Sequence, residues 1–181
     1  MILVVAATAA ELAGAADSET LVCGIGPVDA AVATARALAG QRPDGLLHVG
    51  IAGARRGCGL ETPALVLGSE ALYCDAAGSL VAARLEPDPQ LLALARGAFP
   101  GAAVRPIGTS ARVGGTNGCD VEGMEGFAVL RAAAAAGVPA LEVRVVSNEI
   151  EEPDRSRWRF DDALAALAAA LPRLVAALER R

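Results

Sequence analysis

Gly126-Phe127-Ala128-Val129-Leu130-Arg131-Ala132-Ala133-Ala134-Ala135-Ala136-Gly137-Val138-Pro139-Ala140-Leu141-Glu142-Val143-Arg144-Val145-Val146-Ser147-Asn148 reads as a helix, a stop and a strand in immediate succession. The alanine-rich run from Gly126 to Ala136 favours a helix, and Gly137-Val138-Pro139 ends it. Leu141 to Ser147 then alternates. Val143 and Val145 face one way and Glu142 and Arg144 the other, which is the period of a strand. Outward from this unit the same alternation of element types recurs. Met1 to Ala6 predicts a buried strand. Leu21 to Gly24 predicts a second, running into Gly24-Ile25-Gly26-Pro27, and Pro27 opens a helix that continues to Leu38. Leu46 to Val49 predicts a strand ending in a loop, Gly50 to Ala54. Ala64 to Leu72 and Val81 to Arg84 predict strands, Pro89 to Phe99 a helix, and Val104 to Gly108 a strand opening into a Gly/Thr/Ser loop that ends at Gly118. Asp161 to Glu179 predicts a terminal helix interrupted at Pro172. Such an order predicts the α/β class: a three-layer α/β/α sandwich around a central mixed, mostly parallel twisted sheet, in one domain spanning 1–181. Ligands of such sheets bind beyond the carboxyl ends of the strands.

Composition excludes several functions. The chain has 181 residues, 54% of them apolar and 20% charged, which suffices for a sizeable core. All 16 basic residues are arginine, against 21 acidic ones, for a net charge of −5. An acidic chain without a basic run is a poor sequence-independent nucleic-acid binder. Without lysine no P-loop is possible. The N-terminus lacks the basic region of a signal peptide, and apolar runs such as Ala163 to Leu171 are too short to span a bilayer. Cys23, Cys58, Cys74 and Cys119 have neither zinc-site nor disulfide-framework spacing, so they read as reduced thiols of a cytoplasmic protein. The one histidine, His48, falls inside a predicted buried strand, so neither Ser-His-Asp nor Cys-His catalysis has a ready base.

The predicted strand ends carry few chemical groups. Glu11 follows the first strand and could act as a general base on water, or could simply be a first-turn acid that favours the helix dipole. Gly24-Ile25-Gly26 could bring backbone N–H groups to an anion or sugar. As a dinucleotide fingerprint it lacks the ribose-binding acid about twenty residues on. Gly50 to Ala54 offers no side-chain donor, and the following Arg55 and Arg56 read as solvated, so a phosphate cradle is missing. Met124 and Glu125 precede the helix at Gly126, where acids are common for electrostatic reasons. Ser147-Asn148 ends a strand, either in a catalytic position or as a turn former. Trp158, the only tryptophan, stands among Arg155, Arg157 and Arg159, either packing or forming a ligand wall.

Together, MILVVAATAAEL, LVCGIGPVDAAVATARAL, HVGIAGA and VEGMEGFAVLRAAAAAGVPALEVRVVSNEIEEPDRSRW resemble the purine nucleoside phosphorylase and nucleosidase superfamily in order and approximate spacing. EGMEG and the Ser-Asn ending followed by D-R-S-R-W are similar to the futalosine hydrolases within it, nucleosidases of menaquinone formation. The resemblance implies cleavage of futalosine to hypoxanthine and dehypoxanthine futalosine, without metal or organic cofactor, by a homo-oligomer in the cytoplasm. Its partner is a small nucleoside, not a nucleic acid or a membrane. Glu11 matches the acid that activates water, Glu125 the acid that binds ribose hydroxyls, and Met124 its neighbour against the sugar. Asn148 stands beside the base, with Ser147 before it. Gly24 and Gly53 match backbone positions around the sugar, and Arg144 an arginine on the base-binding strand.

Asn148 bears on the substrate. Adenine offers a donor at its 6-amino group, which suits an aspartate, whereas hypoxanthine offers acceptors at O6 and N7, which suit an amide NH₂. The rest of futalosine is a carboxyphenyl ketone chain, for which Arg155 or Arg157 would supply a cation and Trp158 a stacking surface. Two features depart from the family. The Gly108 to Asp120 stretch is short and has no aromatic side chain to cover the purine, leaving Phe127, Phe160, a partner subunit, or Val113 with backbone. Gly123 replaces a second acid, and Glu122, displaced by one, receives no catalytic part. The alternatives are a methylthioadenosine/adenosylhomocysteine nucleosidase, a phosphate-dependent phosphorylase and a non-catalytic nucleotide-binding module.

Overall fold

Apolar strands set the frame. The computed structural model describes residues 1–15, 17–76, 78 and 80–181. Its elements are β1 (Ile2–Ala6), β2 (Glu19–Val22), α1 (Pro27–Gly40), β3 (Gly45–Ala54), β4 (Leu65–Tyr73), β5 (Arg84–Leu85), α2 (Pro89–Ala98), β6 (Ala103–Thr109), β7 (Val121–Gly123), α3 (Gly126–Ala136), β8 (Ala140–Glu149) and α4 (Phe160–Leu178). Single 3-10 turns lie at Ala10–Leu12 and Arg155–Arg157. β1 lies between β2 and β3, parallel to both. β3 is also parallel to β8, and β8 is antiparallel to β4. β4 pairs in parallel with β6, β6 in parallel with β7, and β7 returns antiparallel to the end of β3. The sheet is therefore mixed and mostly parallel, and β3, β8, β4, β6 and β7 close into a ring. Ala52, Ala54, Val66, Ile107, Val121 and Val146, contributed by those five strands, form a separate apolar cluster.

The two faces of the sheet are covered by different helices. Leu47, Val49, Leu141, Val143 and Val145 pack with Leu91 of α2 and Leu167, Leu171 and Leu174 of α4. Leu3, Val5 and Leu46 pack with Ala30 and Leu38 of α1 and Phe127, Leu130 and Ala133 of α3. This is the three-layer α/β/α arrangement, with Val143 and Val145 on the face opposite Glu142 and Arg144. No described helix is long and apolar enough to cross a membrane.

Local chemistry fixes the element ends. Pro27 begins α1 after Gly26, whose φ of 93° suits glycine. Asp88 caps α2, accepting from Gln90 N and Leu91 N at 3.0 Å. Gly137, at φ 67°, ends α3 in the left-handed conformation. α4 runs through Pro172 without a break. The proline leaves the Ala168 carbonyl without its helical donor, and Gly14 packs so tightly there that a Cβ would overlap that carbonyl.

The structure differs from the sequence expectation in several places. Gly50 to Ala54 is the second half of β3, not a loop. Val121–Gly123 forms a strand that the acids of the EGMEG segment obscured. Of the predicted Val81 to Arg84 strand only Arg84 is in a strand, the two-residue Arg84–Leu85 paired with β4. Arg55 is not solvated: its Nε donates to Cys119 O and its Nη2 to Thr116 O, both at 2.9 Å, and Nη1 pairs with Glu151 at 3.2 Å.

Candidate active site

A cleft of about 600 Å³ opens where the carboxyl ends of β1, β3 and β8 meet the ends of β6 and β7. Into it the structure brings Glu11, Gly53, Val113, Met124, Glu125, Arg144, Ser147, Asn148 and Trp158. Gly24 does not line it; the turn presents Ile25 instead, while Gly24, at φ +85°, packs toward Asp29. A second depression, of about 630 Å³, lies between the C-terminal ends of α1 and α3. Alanines dominate its lining, and Arg42 is its only ionisable group.

Glu11 sits on the 3-10 turn after β1 and is buried. Its Oε2 accepts from Thr8 N at 2.9 Å and Thr8 Oγ1 at 2.8 Å, and its Oε1 from Ile51 N at 3.1 Å. The carboxylate is thereby fixed in orientation. Glu125, buried at the head of α3, does not cap its own helix. Thr109 Oγ1 accepts from Phe127 N at 2.8 Å instead. That leaves Glu125 Oε1 to accept from Gly26 N at 3.0 Å and Oε2 to pair with Arg144 Nη2 at 3.5 Å. The glycine turn after β2 thus contributes through Gly26, whose N–H holds the acid.

Arg144 is fully enclosed and engaged on every side. Nε donates to Glu142 Oε1 at 2.8 Å, Nη1 to Ile51 O at 3.4 Å, and Nη2 lies 2.6 Å from His48 Nε2. Burial opposes the guanidinium's charge, but Glu142, then Glu125 and Glu11, outweigh it and raise its pKa above the ordinary value. His48 is pushed the other way. Burial first, then Arg144, holds its pKa well below the usual imidazole value. Its Nδ1–H donates to Val5 O at 3.0 Å, which leaves Nε2 as an acceptor for Arg144.

Asn148 owes its direction to a β-bulge. β3 and β8 stay in register to Ala52↔Val146, and then the pairing skips to Gly53↔Asn148. Ser147 is the extra residue, and the bulge re-aims the side chain that follows. Ser147 Oγ lies 3.2 Å from Ala52 O and 2.8 Å from Asn148 Oδ1. Asn148 Nδ2 donates to Glu149 O at 3.0 Å and keeps a second hydrogen for a ligand. A Cβ at Gly53 would stand 3.2 Å from Nδ2, so only glycine lets the amide lie this close without displacement.

The cleft is also lined by Arg155, Trp158, Phe160 and Leu164. Trp158 and Phe160 have ring centroids 5.4 Å apart, and Arg155 Cζ lies 5.5 Å from the Trp158 ring. Arg157 turns to Glu152 at 3.3 Å and Arg159 to Asp162 at 2.6 Å, so only Arg155 of the three faces the cleft. Phe127 is not over the site; it stacks on Tyr73 at 5.3 Å in the α1/α3 layer. Glu122 organises the 110–120 loop. It accepts from Gly114 N, Thr116 N and Thr116 Oγ1 at 2.6, 3.1 and 2.7 Å. Val113 thereby stands at the cleft wall.

Sequence reasoning left His48 and Glu142 out of the site. The signal was present: a charged residue at alternate positions of the apolar run Leu141 to Val146 demands buried partners on neighbouring strands. Which partners depends on strand order, and no local motif encodes that.

Residues 110–180 match the sequence model of the Phosphorylase superfamily. The chain is 37% identical over 190 residues to a futalosine hydrolase of Streptomyces coelicolor, covering 89% of this chain and 80% of that protein. Its fold is similar to that of a futalosine hydrolase mutant of Helicobacter pylori, with TM-score 0.87, 15% identity and coverage of 97% and 98% of the two chains. It is also similar to the Streptococcus pneumoniae MTA/SAH nucleosidase bound to 8-aminoadenine, with TM-score 0.84, 19% identity and 98% of each chain covered. The two structural likenesses establish the fold, and the Streptomyces relative, similar over most of both chains, establishes the kinship: the chain belongs to the futalosine hydrolase family.

Proposed function

We propose that this protein hydrolyses the N-glycosidic bond of futalosine, releasing hypoxanthine and dehypoxanthine futalosine, a step of menaquinone formation carried out in the cytoplasm. The observation that carries this reading is that Glu11, Glu125 and Asn148, far apart in sequence, line one cleft. Glu11, held by Thr8 and Ile51, takes a proton from water as the water oxygen bonds to C1′. The bond from C1′ to the purine breaks, and its electron pair leaves with the base, which takes a proton from solvent while Glu11 returns the proton of the attacking water to solvent. The ribose passes through a cationic state. Glu125 accepts from the sugar hydroxyls and favours that positive charge, with Met124 against the sugar and Gly53 leaving room beside it. A positioned base contributes about 10²–10⁴-fold.

The free Asn148 hydrogen donates to O6 or N7 of a 6-oxopurine, with Ser147 holding the amide and Val113 near the base. A carboxylate at 148 would instead favour a 6-aminopurine, as in a methylthioadenosine nucleosidase. Hydrolysis is favoured over phosphorolysis. Arg144 is already engaged by carboxylates, and the other lining cation, Arg155, sits against the Trp158 ring. Arg155, Trp158 and Phe160 suit the aryl carboxylate of the futalosine tail.

A homo-oligomer is also supported. Val22, Ile25, Val28 and Val32 are exposed, Val28 to 74%, along β2, the turn after it and α1. Val28 and Val32 share a helix face, and Ile25 reaches the cleft. Incubation with futalosine, inosine or methylthioadenosine, with and without phosphate, tests the reading. The expected result is hypoxanthine from futalosine at a rate independent of phosphate. Adenine release from methylthioadenosine as the preferred reaction, or a requirement for phosphate, would displace it.

A further inference from the structure

Three glycines give up their side-chain space to one buried ion pair. A Cβ at Gly50 would overlap Arg144 Nη1, one at Gly126 would overlap the Glu142 carboxylate, and one at Gly123 would stand 3.1 Å from Arg144 Cζ. Backbone from β3, from β7 and from the head of α3 is thus cleared around two side chains of β8, each 1% exposed. Glu142 gives one oxygen to Arg144 Nε, and its other oxygen, Oε2, is buried with no hydrogen-bond partner. His48 takes Arg144 Nη2 from the opposite side. Neither Glu142 nor His48 lines the cleft. As a stabilising device this is poor, since apolar side chains of similar size generally serve as well or better. What the pair achieves is placement: the guanidinium it holds reaches Glu125 Oε2 at 3.5 Å and shares the space over Gly50 with Glu11 Oε1.

We propose that Glu142 and His48 are positioning residues for the glycosidic cleavage. They hold Arg144 between Glu11 and Glu125, and the Glu142 charge absorbs part of the arginine's, leaving the two cleft carboxylates free to take a proton and to face a cationic sugar. This rests on the reading of Glu11 as the base and Glu125 as the ribose ligand. An arginine facing those two acids alone would bind them more strongly, and a base so held is a weaker base. The groups around the cluster are Glu11 from the turn after β1, Cys23 from the end of β2, His48 from β3 and Glu125 from the head of α3. Burial, then Glu125, pushes the Cys23 thiol up to about 12. It is uncharged over the working range, and so is His48.

The test is the pH profile of kcat/KM on futalosine. Glu142→Gln preserves volume and an acceptor for Arg144 Nε but removes the charge. Its acid limb is expected at lower pH than in the wild type, with the plateau of kcat lowered about tenfold and KM little changed. Glu142→Asp keeps the charge on a shorter arm, so the acid limb is expected to stay in place while kcat falls. A folded Glu142→Gln enzyme whose acid limb overlays the wild type overturns the proposal. Should that variant not fold, Glu142→Asp decides, and wild-type kcat there overturns it. A wild-type protein that frees no base from futalosine defeats the functional reading itself, an outcome distinct from either.

Discussion

The Glu11 carboxylate and the Arg144 guanidinium meet over Gly50. A Cβ there would overlap Arg144 Nη1 and come 2.7 Å from Glu11 Oε1. Glycine is required here by close approach, since neither group can retreat: Glu11 is tied to Thr8 and Ile51, and Arg144 to Glu142 and His48. Gly50→Ala is therefore expected to lower kcat at least about tenfold by displacing one of the two groups, and to destabilise the fold by about 1–3 kcal/mol through overpacking. Steady-state kinetics with a denaturant titration checks both. Wild-type kinetics would mean that the site has room the structure does not show.

Asn148→Asp reverses the polarity offered to the base. The Ser147 hydroxyl can still donate to the side-chain oxygen, so the geometry of the bulge is retained. The ratio of kcat/KM for 6-oxo over 6-amino nucleosides is expected to fall by orders of magnitude, on the scale of 10²–10⁴ for a mismatched buried polar group. Competition between inosine and adenosine derivatives reads the ratio directly, and an unchanged ratio removes Asn148 from base recognition.

Arg155 and Arg157 are two residues apart, but only Arg155 faces the cleft. Arg157 is largely exposed and paired with Glu152, a contact of small energetic weight. Arg155→Ala is expected to raise KM for futalosine about tenfold or more, the scale of one charge-assisted hydrogen bond, with a much smaller effect on inosine, which lacks the tail. Arg157→Ala is expected to behave as wild type. Equal losses on both nucleosides would place Arg155 elsewhere in the mechanism.

His48 links stability to acid. Burial and Arg144 depress its folded pKa below the ordinary imidazole value, while the unfolded chain keeps a value of about 6.5. The stability it contributes is fully present above that pH and is lost as pH falls toward the folded value, because the unfolded state then binds the extra proton. One such proton amounts to at most about 1.4 kcal/mol per pH unit. Thermal melts between pH 7 and 5 are expected to fall more steeply for the wild type than for His48→Gln. Parallel curves would show that His48 is not the buried neutral group described.

The sequence carried the fold wherever one segment decides its own conformation. α3 begins at Gly126 and ends at Ala136 because an alanine run meets Gly137 and Pro139. β8 alternates visibly between valines and charges. β3 was legible only to Val49, since glycines at 50 and 53 look like a loop. They serve instead to admit Arg144, Glu11 and Asn148 against a continuing strand. β7 was hidden because three residues carry no period, and only the ring of paired strands makes it one. In the site, Glu11 and Asn148 were visible as polar groups after predicted strands and Glu125 as an acid before a predicted helix, and the family resemblance supplied their roles. Glu142 and His48 did not stand out, because their meaning comes from β3 and β8 lying side by side. Gly26 was masked by its neighbour Gly24, as two glycines in one turn look alike until a carboxylate from α3 selects one N–H.

The central claim, that a carboxylate after β1 activates water on a nucleoside gripped from the head of α3, is tested most directly by Glu11→Gln. The amide is isosteric and can keep a contact to Thr8, yet cannot accept the proton of water. Turnover of futalosine is expected to fall at least about 10²-fold, while calorimetry returns a hypoxanthine affinity close to wild type. Turnover that survives the substitution would contradict the account, because some other group would then be delivering the water.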